Sequence, residues 1–220
     1  MREYLEPTAI VDSDHPEVIA FARDHGGGTA DARDAAVKLY YAVRDGIRYD
    51  PYGVGTDAES LRASNVLAAG RGWCVSKAVL LSAACRALSI PARLGFADVR
   101  NHLSTERMRR SMQTDIFYYH GFSSIHLDGR WLKATPAFNV ELCEKFRLLP
   151  LEFNGTEDSI YHPFDADGRK HMEYLNYRGE FADVPVDDLQ RTLREMYPGV
   201  ALSLGEDDDF ERDVAEETRR

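Results

Sequence analysis

The stretch Arg71-Gly72-Trp73-Cys74-Val75-Ser76-Lys77-Ala78-Val79-Leu80-Leu81-Ser82-Ala83-Ala84-Cys85-Arg86-Ala87-Leu88 carries the most apolar helical pattern in the chain. Positions 74, 78, 81, 85 and 88 fall on one face, so the helix is expected to open a buried stripe at Cys74. Ile90-Pro91 breaks it. Beyond the break the pattern changes in kind. Residues 92–99 read as a strand, and residues 104–112 as a helix carrying Arg107, Arg109 and Arg110. Residues 117–127 read as a second strand, Asp128-Gly129 as a two-residue hairpin turn, and residues 130–135 as the return strand. Helices come first and hairpin strands later, which predicts an α+β fold in place of alternating βαβ units.

Upstream, Asp12-Ser13-Asp14-His15-Pro16 supplies capping side chains and a first-turn proline for a helix that Gly26-Gly27-Gly28 ends. A second helix is expected over residues 29–45, with Ala36, Leu39, Tyr40 and Val43 at i, i+3, i+4, i+7. Ser64 caps a short helix to Ala69. Downstream the pattern weakens. Residues 146–153 suggest a strand, and Asp187 caps a late helix to Met196. Residues 1–205 are expected to form one domain. It comprises N-terminal helices over 12–46, a core over about 35–140 and an elaboration over 141–205. The acidic tail, 206–220, is expected to fray.

The 220 residues carry 27 Lys+Arg against 37 Asp+Glu, a net charge of −10, and 44% are hydrophobic. That apolar share excludes a disordered chain. The negative charge argues against nucleic acid and anionic membranes as partners, since phosphate binding needs a positive field. The three cysteines, Cys74, Cys85 and Cys143, cannot form a paired framework and match no metal spacing. Together with a first stretch that lacks an apolar leader, they predict a reducing, cytoplasmic setting. Residues 165–168 (Asp-Ala-Asp-Gly) fail the register of a calcium loop, because Pro163 would take its first ligand position. No metal or cofactor is expected.

Each cysteine then needs its own reading. Cys85 lies deep in the apolar stripe, and Cys143 lies between Leu142 and Glu144. Both read as structural thiols. Cys74 is either a small apolar residue opening a buried face or a nucleophile. Unpaired N–H groups at a helix start stabilise a thiolate and an oxyanion, and so lower a thiol pKa. Gly72 would let a substrate backbone approach, and Trp73 would line the site. A thiol enzyme also needs a base. His120 stands within the strand of residues 117–127, His126 near its turn, and His102 in a loop that could line a cleft. If Leu127 pairs with Arg130 across the turn, Phe122 pairs with Thr135. His120 and Thr135 then become diagonal neighbours on one face, where a side chain orienting the imidazole would stand.

Arg71-Gly72-Trp73-Cys74 with Ala78, then residues 85–93, then His120, Leu127-Asp128-Gly129-Arg130-Trp131 and Thr135-Pro136, resemble the motifs of the transglutaminase-like superfamily in order and spacing. The resemblance spans about residues 35 to 140. It implies a papain-like core, with the cysteine-bearing helix packed on an antiparallel sheet. It implies Cys74 as nucleophile and His120 as general base, acting on a protein or peptide substrate. Two positions depart from the family. Thr135 replaces the usual Asp, which removes a negative charge beside the imidazole; Asn139 is the alternative orienting residue, with Asp158 and Asp165 more remote. Gly121-Phe122 stands where Ala-Trp is frequent. The expected chemistry is hydrolysis of an amide or isopeptide bond through a thioester. The alternative is a catalytically degenerate module that binds peptides or serves as a scaffold.

Overall fold

The computed structural model describes residues 1–52, 55–101, 104–160, 172–197 and 210–217. Helix α1 (Pro16–Gly26) and helix α2 (Ala32–Gly46) pack on each other and on a central helix. Asp31 caps α2, accepting from the Arg33 N–H at 3.0 Å. A two-residue strand β1 (Arg48–Tyr49) follows, then the short helices α3 (Ala58–Leu61) and α4 (Ala63–Ala69). Gly70 closes α4 in the left-handed conformation at φ +62° and feeds strand β2 (Arg71–Gly72). Strands β1 and β2 pair in parallel, Tyr49 opposite Gly72.

Helix α5 (Cys74–Ala87) starts where the pattern predicted, but it is buried on every side. Ser76, Lys77, Ser82 and Arg86 lie inside along with its apolar residues. Each polar member has an internal partner. Arg86 donates to the carbonyls of Ala92, Glu6 and Ala182. Lys77 Nζ donates to the carbonyls of Arg44 and Ile47, at 2.9 and 2.5 Å, and so closes the C-terminal end of α2.

The sheet has the order β5-β4-β3-β6 and is antiparallel throughout. Its strands are β3 (Ala92–Asn101), β4 (Ile116–Leu127), β5 (Arg130–Ala134) and β6 (Met172–Phe181), with helix α6 (Glu106–Met112) between β3 and β4. The hairpin has the expected register, with Leu127 opposite Arg130. Helix α5 lies on β4. Ser123 donates to the carbonyl of Ala78 at 2.8 Å and accepts from Ser82 Oγ at 3.1 Å. Gly95 is held open because the ring of Phe122, its partner across β3–β4, fills the space of a Cβ.

The downstream third departs from expectation. No strand forms over 146–153: helix α7 (Val140–Phe146), which buries Leu142 and Cys143, ends there, and a turn and irregular chain follow. The remaining strand is β6, on the sheet edge. The late helix, α8, runs over Val186–Met196 and follows Pro185, not Asp187. Part of the tail expected to fray forms helix α9 (Phe210–Glu217), with Phe210 and Val214 buried. Its carboxylates meet the basic cluster of α6. Asp213 pairs with Arg107 at 2.8 Å and Glu217 with Arg109 at 3.6 Å, while Glu211 pairs with Lys145 of α7 at 2.6 Å. Among the described residues no helix is long and apolar enough to cross a membrane.

Candidate active site

Cys74 is the first residue of α5, and the turn before it is fixed by local bonds. Ser76 Oγ accepts from the Trp73 N–H at 3.0 Å, which satisfies the backbone at the helix start. Ser76 also explains Gly72. A Cβ on Gly72 would lie 2.4 Å from Ser76 Oγ, so this glycine makes room for the capping hydroxyl. On the other flank, Gly121 of β4 meets the helix directly. A Cβ there would lie 2.8 Å from Val75 Cα. The close approach of β4 to the first turn of α5 sets His120 beside the turn that carries Cys74.

Cys74 and His120 open on one cavity of about 90 Å³. Tyr49, Pro51 and Tyr52 wall it on the β1 side, with Trp73 at the start of α5. Met108, Ser111 and Met112 of α6, Phe117 and Tyr118 of β4, and Leu193 and Tyr197 from α8 and its end complete the wall. No carboxylate, lysine or arginine lines it among the described residues. The Tyr52 hydroxyl is bonded to Thr105 and Asp213, and that of Tyr197 to the backbone of Tyr118 and Ile116. These tyrosines therefore present ring faces to the space. The contributions of α6 and α8 were not legible in the sequence, because nothing local marks which surface of β4 they cover.

Burial dominates the electrostatics. The Cys74 thiol is pushed up to about 11 by desolvation, and the backbone N–H groups of Gly121, Val75 and Cys74 only partly oppose this. The His120 imidazole is pushed down to about 4 by the same cause. The lowered thiol pKa expected from a helix start is therefore not realised in the closed site: loss of water outweighs the helix N–H groups. At neutral pH the resting pair is a thiol and a neutral imidazole.

The remaining candidates separate. His120 Nε2 and Thr135 Oγ1 are both buried, and neither has a hydrogen-bond partner among the described residues. The Thr135 N–H donates to Ser159 O at 2.9 Å, and its carbonyl accepts from Tyr40 Oη at 3.2 Å. Asn139 is committed elsewhere. Its Oδ1 accepts from the Tyr49 N–H at 3.2 Å and its Nδ2 donates to Glu141 at 2.9 Å, so it steadies β1. Asp158 accepts from the Lys133 N–H at the outer edge of the sheet. His102 and Asp165 lie outside the described residues.

A helix-borne thiol set against a histidine on an antiparallel sheet defines an α+β fold of the transglutaminase-like kind. The family model of the transglutaminase-like superfamily matches residues 19–136, more than half of the chain. The chain belongs to that superfamily. No curated protein matches it. Among solved structures it is similar to a "putative cysteine protease" from Cytophaga hutchinsonii, at 18% identity and a TM-score of 0.48. That match covers 80% of this chain and 52% of the other. It is also similar to a "putative protease" from Parabacteroides distasonis, at 15% identity and a TM-score of 0.39, over 54% of this chain and 23% of the other. The chain thus spans about half the length of the first of these and about a quarter of the second.

Proposed function

We propose that the protein is a thiol-dependent acyl-transfer enzyme that hydrolyses an amide or isopeptide bond of a protein or peptide. The observation that carries this reading is the shared cavity. Cys74, at a helix start whose first-turn N–H groups lack intrahelical acceptors, and His120, on the adjoining β4, face the same apolar space. In the proposed reaction Cys74 Sγ attacks the carbonyl carbon as its proton passes to His120. The first-turn N–H groups receive the oxyanion. The C–N bond breaks, His120 returns the proton to the leaving amine, and a thioester remains. Water then attacks the thioester with His120 as base, releasing the acid and the free thiol.

A second reading, a non-catalytic member of the fold, draws support from the unpartnered His120 Nε2 and from the absence of a carboxylate at position 135. Catalytic hydrogen bonds are often long or poorly aligned in a substrate-free site, so an unpartnered imidazole is compatible with the first reading. The test is acylation by p-nitrophenyl acetate, a small activated donor. The expected result is release of p-nitrophenolate with one acetyl group on Cys74, abolished in Cys74→Ala and strongly slowed in His120→Ala. Equal rates in all three proteins establish the second reading.

A further inference from the structure

The backbone leading into His120 is bent, and a buried carboxylate holds the bend. Val99 pairs with Phe117 and Ala97 with His120, so Tyr118 and Tyr119 together stand opposite Asp98. This is a β-bulge, which re-aims the side chain that follows it. Tyr119 carries the bulge at φ +58°, a left-handed conformation disfavoured for a bulky L-residue. Such a conformation persists only where its surroundings enforce it.

The enforcing bonds converge on one side chain. The Tyr119 N–H donates to Asp98 Oδ1 at 3.2 Å. Asp98 is 5% exposed and is itself fixed from β6. Arg178 Nε reaches Oδ1 at 2.5 Å and Asn176 Nδ2 reaches Oδ2 at 3.2 Å. The Arg178 guanidinium also lies 4.5 Å over the Tyr119 ring, which packs against Phe96 on its other contact. One residue earlier, the Tyr118 N–H donates to Tyr197 Oη at 2.8 Å.

We propose that Asp98 is a positioning residue: its carboxylate holds Tyr119 left-handed and thereby fixes the direction in which His120 enters the cavity. The proposal rests on the reading of Cys74 and His120 as the acyl-transfer pair. Without the acceptor the Tyr119 N–H is buried and unpaired, and the strand gains by relaxing toward extended backbone. Successive strand residues face opposite sides, so even partial relaxation turns the imidazole away from Cys74.

The experiment is a double-mutant cycle on Cys74 acylation by p-nitrophenyl acetate, with folding checked by urea melts. Asp98→Ala is expected to slow acylation about tenfold or more, as misplacement of a reacting group does. The double variant Asp98→Ala/His120→Ala is expected to react no more slowly than His120→Ala alone, because a positioning effect vanishes with the group it positions. Asp98→Asn keeps an acceptor oxygen for the Tyr119 N–H and is expected to stay close to the wild-type rate. Should Asp98→Ala not fold, Asp98→Glu takes its place. It keeps the charge for Arg178, displaces the acceptor by one methylene, and is expected to be slow. A wild-type rate in the Ala or Glu variant overturns the proposal. So do multiplicative effects in the double variant, and an Asn variant as slow as the Ala variant. A rate that depends on Cys74 and His120 but ignores Asp98 overturns only the role of Asp98. A wild-type rate that ignores Cys74 and His120 overturns the enzyme reading beneath it.

Discussion

Gly121→Ala tests how β4 and α5 set the candidate site. The added Cβ would lie 2.8 Å from Val75 Cα, 3.1 Å from Val75 Cγ2 and 3.2 Å from Val75 N. Two of these three atoms are backbone, so no rotamer change relieves the contact. Restoring ordinary contact, which begins near 3.4 Å, requires the strand and the first turn of α5 to separate by about 0.6 Å at this point. Overpacking of this kind costs about 1–3 kcal/mol. In a chain of this length that is a fall in Tm of about 2–12 °C. The separation also parts Cys74 from His120, which flank the contact. A displacement near 1 Å costs about a hundredfold in a positioned reaction, so a loss of about tenfold or more in Cys74 acylation is expected. Gly46→Ala is the control, because a Cβ at the end of α2 meets nothing within 4 Å. The assay pairs urea melts with p-nitrophenyl acetate acylation. If Gly121→Ala matches Gly46→Ala in both, the contact does not set the site and the reasoning fails.

Three further outcomes are expected. Lys77 is pushed down from 10.5 to about 7 by burial, so between those values the unfolded chain binds a proton that the native state does not, and stability rises with pH. The slope should approach about 1 kcal/mol per unit from pH 7 to 8, before ionisation of Cys74, Cys85 and Cys143 in the unfolded chain opposes it, and Lys77→Met should flatten it in denaturant melts. Phe210→Ala removes a ring packed against Tyr49, Tyr52 and Phe146, a loss of about 3–5 kcal/mol that exceeds what one short helix holds. Fast amide exchange confined to residues 210–217, with the global melt nearly unchanged, is expected; unchanged protection there refutes the docking of α9. Thr135→Asp places a carboxylate where Thr135 Oγ1 and His120 Nε2 now stand unpartnered, and should raise the His120 pKa from about 4 in an NMR titration. A titration that does not move shows that position 135 does not face the imidazole.

The legible parts of the fold are those written in local signals. The run from Cys74 to Ala87 and the Asp128-Gly129 turn are strong because periodicity and turn chemistry act over a few residues. The turn even fixed the register that aligns β4 with β5. The edge strand β6 escaped because Leu175 and Tyr177 are exposed and Gly179 interrupts the alternation at φ +112°. Helix α9 escaped because its two buried residues, Phe210 and Val214, sit among Glu, Asp and Arg, and its stability comes from α6, α7 and the tyrosines near β1. Asp98 was invisible for the same reason. Its partners Tyr119 and Arg178 are 21 and 80 residues away, and no pattern in the chain joins them.

The charge state of the pair bears most directly on how the site can work. A thiol near 11 and an imidazole near 4 make separated charges costly: proton transfer from sulfur to nitrogen is uphill by on the order of 10 kcal/mol before the mutual attraction of the two new charges offsets part of it. Turnover at about 1–1000 per second allows a total barrier of roughly 13–17 kcal/mol. A preformed thiolate–imidazolium pair would leave little of that barrier for the carbon–sulfur step. Two routes reduce the demand. The proton can move as the carbon–sulfur bond forms, so that no separated charges stand in an apolar cavity. Alternatively, the substrate can bring polar amide groups into the space and raise the local dielectric. Either route makes the site quiet when empty, which suits a buried thiol in a cavity lined by Tyr49, Met108, Phe117 and Leu193. In the proposed reaction the identity of residue 135 also bears on the cost of the imidazolium. In a triad the acid holds the imidazole in the right tautomer and stabilises the imidazolium, and its replacement by the amide costs about ten-thousandfold in the serine proteases, through the wrong tautomer. In the proposed reaction, threonine at that position would leave it to the substrate to supply what a carboxylate does in a triad.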